Sequence, residues 1–406
     1  MTLLGRLYRL IWGEEVDRSL RPVLAVNVSA SLAGSTLWTF MGIWAIDRLD
    51  AKDQLPFIYG GSAVLGAGAA YAAGHLSDRH GRRSILLGAQ AVFAVYPLVL
   101  LAVGSSLVAG VVALTFAGAV GAAAGTMSQA IITDLVPQEK HEEGFAAARI
   151  ASNLGVVSGP PFGAALLGMG GWTALFVGVS VLTASAWLIA QRLVPRGGRY
   201  APQTAPTRGS FAVIKRDRAF QLFLGSAVFA WIVYVSYEVA LPISLFDGHG
   251  YSNWSWGLIV VLNPILVTLL QMRLTRTTLA WPAAPKLMGA MLLMGLPFLA
   301  LTQSAAVPVV VAIVVVFVFG EMLWVPTSQA IVSRLAPDDL RGAYLGAFGS
   351  GPAIGFALSP LIGLSLRNAA GDDAMWLFFA AISVVAAILG GLACYGVRRL
   401  LAEAPA

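Results

Sequence analysis

Charge is scarce in this chain. Of its 406 residues 11% are charged and 58% are hydrophobic, and the mean hydropathy is +0.78. Soluble domains carry about 25% charged residues, so this chain lacks the means to cover itself with a solvated surface. It reads as an all-α polytopic membrane protein whose surroundings are a lipid bilayer. Cysteine is nearly absent. Cys394 stands alone, which excludes a disulfide framework and a cysteine-built metal site within one chain. Histidine is equally thin: His75, His80, His141 and His249 are scattered without metal-ligand spacing. No metal and no cofactor are expected. Residues 1–21 lack the A-x-A site of a cleaved leader. Leu3, Leu4, Leu7, Ile11 and Trp12 recur at helical spacing, which fits a short helix lying at the membrane interface and fits a solvated tail equally.

What is present is long apolar runs. A spanning helix needs about 20 apolar residues, and twelve runs meet that length. Six lie near 22–46, 56–76, 85–104, 107–134, 145–168 and 172–191. Six more lie near 219–246, 256–273, 286–304, 307–333, 342–366 and 375–397. The net charge of +6 suggests nucleic acid, but its distribution excludes that partner. Of the 26 Lys and Arg, all but Arg48, Lys52 and Arg367 fall on the termini, on alternate loops or at the run ends that adjoin those loops. That pattern sets topology and places both termini in the cytoplasm. The expected location is the plasma (inner) membrane. An integral-membrane enzyme would need a nucleophile with its base, or a metal cluster, at membrane depth. No histidine lies deep within the runs, His75 falling at the very end of one, and no pair of aspartates lies within them, so no enzyme is expected.

The stretch 192–218 contains Pro195, Gly197, Gly198, Pro202 and Pro206 and suits a cytoplasmic linker. It separates two six-helix halves, 1–191 and 219–406. The halves are related. Shifted by 200 residues, Ser128-Gln129-Ala130-Ile131 falls on Ser328-Gln329-Ala330-Ile331. Without a gap, Leu135, Pro137, Ala147, Gly155, Pro160, Gly163 and Leu166 fall on their counterparts at 335, 337, 347, 355, 360, 363 and 366. That is 11 identities in 39 positions, where chance gives roughly one in ten for such a composition.

Between the second and third runs lies Gly74-His75-Leu76-Ser77-Asp78-Arg79-His80-Gly81-Arg82-Arg83. Gly74 allows close approach of another helix, and Gly81 suits a tight turn. The bland reading is a basic loop that sets topology. The fifth run carries Gly155, Gly159, Pro160, Pro161 and Gly163. Its glycines bare one helix face for packing. Pro160 and Pro161 cannot donate to the carbonyls of Val156 and Val157, so a kink is expected there.

The spacing G-x-L-x-D-R-x-G-R-R resembles the signature loop of major facilitator superfamily transporters. The parallel repeat of six helices agrees with that family. The fifth run resembles the antiporter signature of its drug-exporting branch, except that Ala164 replaces the last glycine. The resemblance implies two pseudo-symmetric six-helix bundles, twelve transmembrane helices, a substrate site between them near the midplane, and alternating access by rocking. It implies a conformational latch of Gly74, Asp78, Arg79, Gly81, Arg82, Arg83 and Asp134. In that latch Asp78 faces the N-terminus of the eleventh helix and Arg82 pairs with Asp134. Drug/proton antiporters usually also carry an arginine inside the fourth helix. Leu114–Gly125 has none.

Charges deep in a bilayer are costly and mark functional sites by default. Glu321 lies 13 residues from Pro308 and 13 from Arg334, near the centre of its run. Glu238 lies nearer one end of the seventh run, with Tyr234 on its face. Each serves proton coupling or a structural hydrogen bond. Arg149 is either a third coupling group or a side chain that snorkels to the interface. Asn27, Trp38, Asn153, Tyr234, Tyr237, Asn263 and Trp324 would line a substrate cavity, as would Ser31, Ser35, Thr39, Gln90 and Gln271. The same residues also suit ordinary interhelical hydrogen bonds. The expected activity is efflux of small amphipathic or hydrophobic compounds by a monomer, in exchange for protons. The alternative is a carrier of a nutrient such as a sugar, organic acid or lysolipid.

Overall fold

Lipid offers backbone groups no hydrogen-bonding partner, so apolar runs of this length bond internally as helices. The computed structural model describes residues 17–51, 54–195 and 210–403. The expected interface helix near the N-terminus and most of the linker lie outside them. Every regular element among the described residues is helical. The principal helices, in order, are α1 (Arg21–Leu49), α2 (Leu55–His80), α3 (Arg82–Val103), α4 (Leu107–Thr115), α5 (Ala117–Leu135) and α6 (His141–Leu193). They continue with α7 (Arg218–Glu238), α8 (Ala240–His249), α9 (Asn253–Val260), α10 (Leu262–Thr278), α11 (Ala283–Gly295), α12 (Val307–Leu335), α13 (Arg341–Gly349) and α14 (Gly351–Glu403). Nine helical stretches among the described residues are long and apolar enough to cross a membrane. The protein is a multi-pass membrane protein.

The chain forms two compact units. One comprises Met1–Ser210 with Ala336–Ser350, the other Phe211–Leu335 with Gly351–Ala406. The first therefore takes α13 as well as α1 to α6. The internal repeat is visible in backbone conformation. Asp50 ends α1 at φ +51°, and Gly250, 200 residues on, ends α8 at φ +68°. Gly171 at φ +60° and Gly371 at φ +88° each turn a long helix back on itself. Pro160 and Pro161, where a kink is expected, stay within helical backbone, and the departures in α6 fall at Gly170 and Gly171.

Association of helices in lipid depends on close packing rather than on water exclusion, and glycine sets the distances. In the first unit Gly155, Gly159 and Gly163 press α6 against α1. A methyl group at Gly155 would lie 2.5 Å from the Val28 carbonyl oxygen, and one at Gly159 would lie 2.6 Å from Ser35 Cβ. The proline-rich stretch is stitched to the same partner. Pro160 leaves the Val156 carbonyl without its helical donor, and Ser35 Oγ donates to it at 2.9 Å. Thr36 Oγ1 donates to Gly159 O at 3.1 Å. The second unit repeats the device: Pro326 frees the Met322 carbonyl, and buried Gln271 donates Nε2–H to it at 2.9 Å.

Candidate functional site: a charged latch and a buried carboxyl among aromatics

The signature stretch is more ordered than a loop. Residues 74–80 form the last turns of α2, and the turn contracts to Gly81 at φ +84°. Two more helical turns put Asp78 under the start of α13. Its carboxylate accepts hydrogen bonds from Gly342 N and Ala343 N, both at 2.9 Å. A helix leaves its first N–H groups unsatisfied and its N-terminus partly positive, so a buried carboxylate there is doubly favoured. Gly74 makes the approach possible, since a Cβ at that position would strike the Gly342 carbonyl. Arg82 opens α3 and forms a buried ion pair with Asp134 near the end of α5. It also donates to Ala130 O at 3.0 Å. Arg83 clamps the end of α6 through Gln191 O at 2.6 Å and Val194 O at 3.0 Å. Arg79 is exposed.

These groups border a polar cavity of about 530 Å³, lined by Asp78, Arg82, Asp134, His141, Asp338 and Arg341 among others. His141 is buried beside the Arg82 ion pair, with Nε2 3.1 Å from Thr133 O. Arg341 donates to Asp338 at 2.6 Å. Sequence reasoning missed both residues. His141 opens a helix just past Pro137, a place that reads as ordinary loop chemistry.

The second constellation lies in the second unit. Glu321, on α12, is fully buried, and Asn263 of α10 donates Nδ2–H to its Oε2 at 2.6 Å. Gly320 next to it lets α12 pack closely on α11, where a Cβ would lie 2.7 Å from Ala290 O. Glu238 ends α7, hydrogen-bonds Tyr234 and lies within electrostatic reach of Glu321. Its side chain is exposed. An aromatic cluster adjoins the pair, and its Tyr237 lies within electrostatic reach of both acids. Tyr237 stacks on Phe317 at 4.5 Å, and Trp231 meets the edges of Tyr234 and Trp324, each at 5.0 Å. Trp256 of α9 tilts against Tyr237 at 6.0 Å. Four of the expected cavity residues, Tyr234, Tyr237, Asn263 and Trp324, thus share this neighbourhood with both acids. Trp231, Trp256 and Phe317 were missed. A signal existed for the first, because 231, 234 and 238 follow helical spacing on one face.

In the first unit the expected cavity residues are more dispersed. Asn27 accepts from Ser128 Oγ at 2.6 Å, joining α1 to α5. Asn153 donates to the Arg149 carbonyl of its own helix at 3.0 Å, and the Arg149 side chain is half-buried. Trp38 is 48% exposed and meets the edge of Tyr59 at 5.3 Å. Gly155, Gly159 and Gly163 are buried against α1, and Ser35 and Gln271 serve proline-freed carbonyls.

Known proteins supply an independent comparison. An antiporter of Na(+), Li(+) and K(+) against H(+) from Planococcus maritimus is 26% identical over 71% of this chain and 75% of its own length. The multidrug transporter MdfA of Yersinia pestis is 27% identical over 55% of this chain and 57% of its own. Among solved structures, the human organic anion transporter MFSD10 (TETRAN) superposes with a TM-score of 0.79 at 21% identity. It covers 92% of this chain and 99% of that one. A bacterial homologue of the iron transporter ferroportin, in an outward-facing state, gives a TM-score of 0.72 at 15% identity, over 94% and 99% of the two chains. At such identities the structures speak for the fold alone. The sequence profile of the Major Facilitator Superfamily matches residues 23–360, and with that match over most of its length the chain belongs to this superfamily of membrane transporters.

Proposed function

We propose that this protein is a secondary transporter that exports small amphipathic or hydrophobic compounds by alternating access, in exchange for protons. The observation that carries the reading is Glu321, a fully buried carboxyl held by Asn263 and within electrostatic reach of Tyr237, which belongs to a cluster of aromatic side chains. A carboxyl buried in lipid-depth protein is expensive unless it changes protonation or meets a cation, and aromatic faces accommodate flat or cationic organic molecules. Glu238, accessible and nearby, is the second acid of the site, and Arg149 a third coupling group in the other unit. Asp78 with the α13 N-terminus, and Arg82 with Asp134, form a latch that holds one state of the cycle. The chain crosses the plasma membrane twelve times as a monomer, with both termini in the cytoplasm.

The name of the Yersinia pestis relative supports drug export, and that of the Planococcus maritimus relative supports a second reading, exchange of alkali cations for protons. A nutrient carrier has no comparable support here. Proteoliposomes with an imposed pH gradient separate the readings. Uphill movement of ethidium is expected, without movement of ²²Na⁺ or ⁸⁶Rb⁺. Movement of the alkali cations alone would replace the first reading by the second. Failure of either to move under any gradient would refute proton-coupled exchange.

A further inference from the structure

The two units differ at places where the repeat leads one to expect sameness. In the first, α1 and α2 run unbroken for 29 and 26 residues. Their counterparts in the second are interrupted at Val239, between α7 and α8, and at Val261, between α9 and α10. Proline explains both breaks. Pro242 cannot donate to the Glu238 carbonyl, nor Pro264 to that of Val260; the repeat-related residues are Gly42 and Val64. Both breaks adjoin the acidic site. Glu238 directly precedes one, and Asn263, which holds Glu321, lies two residues beyond the other.

The segments between the breaks are held very differently. α8 is fixed. Leu241 and Leu245 are fully buried, and Ser244 Oγ donates to Asp372 at 2.6 Å. Arg367 bridges Asp372 and Asp247, the latter at 3.0 Å. α9 has little of this. Between residues 255 and 260 only Ile259 is buried, Leu258 is 59% exposed, and a Cβ at Gly257 would meet nothing within 4 Å. A helix with so few interdigitated side chains moves at low cost, because lipid replaces whatever contact it gives up. Its ends are suited to rotation. Tyr251 Oη is tied to Ala305 O at 2.9 Å just before the Ser252 cap, and at the other end the hydrogen-bond ladder is broken at Val261, whose backbone angles stay helical (φ −63°, ψ −20°). Its contact with the site is Trp256 against Tyr237.

We propose that α9 is a flap, hinged at Ser252 and Val261, that carries Trp256 over the Tyr237–Glu321 site and swings aside to admit substrate, with α8 as the fixed frame. The site's role as the substrate site is taken from the function proposed above; the motion of α9 is tested without it. In the full-length protein with Cys394→Ala, spin labels at Leu258→Cys and Gln303→Cys report the flap. Labels at His249→Cys and Gln303→Cys report the frame. Distances are measured by double electron–electron resonance in nanodiscs at pH 5 and pH 8, with and without ethidium. The 258–303 pair should show two populations, whereas 249–303 shows one. Trp256→Ala removes the contact that holds the flap down and should move the 258–303 population toward its longer distance; Trp256→Phe should restore most of the shorter one. A single 258–303 distance that neither condition nor Trp256→Ala alters, or equal displacement of both pairs, would overturn the flap. Glu321→Gln in the same background keeps the questions apart. A flap that still moves in a variant that still exports uphill leaves α9 standing and removes Glu321 from proton coupling.

Discussion

Single side chains at the proposed latch make contacts that close substitutes cannot. Asp78 offers two carboxylate oxygens to two N–H groups at the start of α13. Asp78→Asn keeps the shape, but presents an amide N–H₂ to one of those donors and removes the charge that the helix N-terminus favours. We expect transport in membrane vesicles to fall several-fold while expression and membrane insertion stay near normal; full transport would show that the contact is not part of the cycle. Arg82 and Asp134 form a buried pair, and breaking such a pair from either side costs about 3–5 kcal/mol by stranding a charge. Arg82→Ala and Asp134→Ala should therefore be non-additive in transport and in thermal stability. A double variant whose loss equals the sum of the single losses would show that the two act separately. The contacts of Asp78, Arg82 and Asp134 were implied by the resemblance to the family's signature loop, because a motif records which residues meet. The partners of Glu321 were less legible. Asn263 is 58 residues away in sequence, and a distant amide in an apolar run carries no pattern that names its acid.

At the scale of helices, proline and its repair decide local structure. Proline at 326 removes one backbone donor, and Gln271 supplies another from a neighbouring helix. Gln271→Ala should leave the Met322 carbonyl buried without that donor, a loss of about 1–3 kcal/mol. Pro326→Ala restores the backbone N–H, so Gln271→Ala should cost much less in that background. Thermal denaturation in detergent checks the pair, and an equal loss in both backgrounds would contradict the assignment. This is also where the sequence is hardest to read. The apolar runs were legible as helices because bilayer thickness and backbone bonding leave few other choices. Ser35 and Gln271 were expected in a cavity, since polarity within a run shows that a partner exists without saying which. Pro160 and Pro161 keep helical φ/ψ within α6, and the Val156 carbonyl that Pro160 frees is met by Ser35, a residue of α1 that no local pattern names. The opposite error arose at residues 74–80, where charge suggested a loop. Those residues remain helical, and Gly81 alone makes the turn.

Across the whole molecule, the repeat supplies two related scaffolds and only one carries the acids. Glu238, Asn263, Glu321 and Trp324 have as repeat counterparts Trp38, Ala63, Gly121 and Ala124. The scaffold features that recur, such as the left-handed residues at 50 and 250 and the turning glycines at 171 and 371, are those the fold requires. The features that do not recur are candidates for function, and Glu321 is foremost among them. Glu321→Gln is nearly isosteric, can still hydrogen-bond Asn263 through its amide oxygen, and stands for the permanently protonated side chain. The decisive measurement compares the two proteins in proteoliposomes, with ethidium transport followed both under an imposed pH gradient and as exchange of labelled for unlabelled compound without one. The account predicts that Glu321→Gln loses uphill, gradient-driven transport while exchange survives. Gradient-driven transport at the wild-type rate in Glu321→Gln would contradict it.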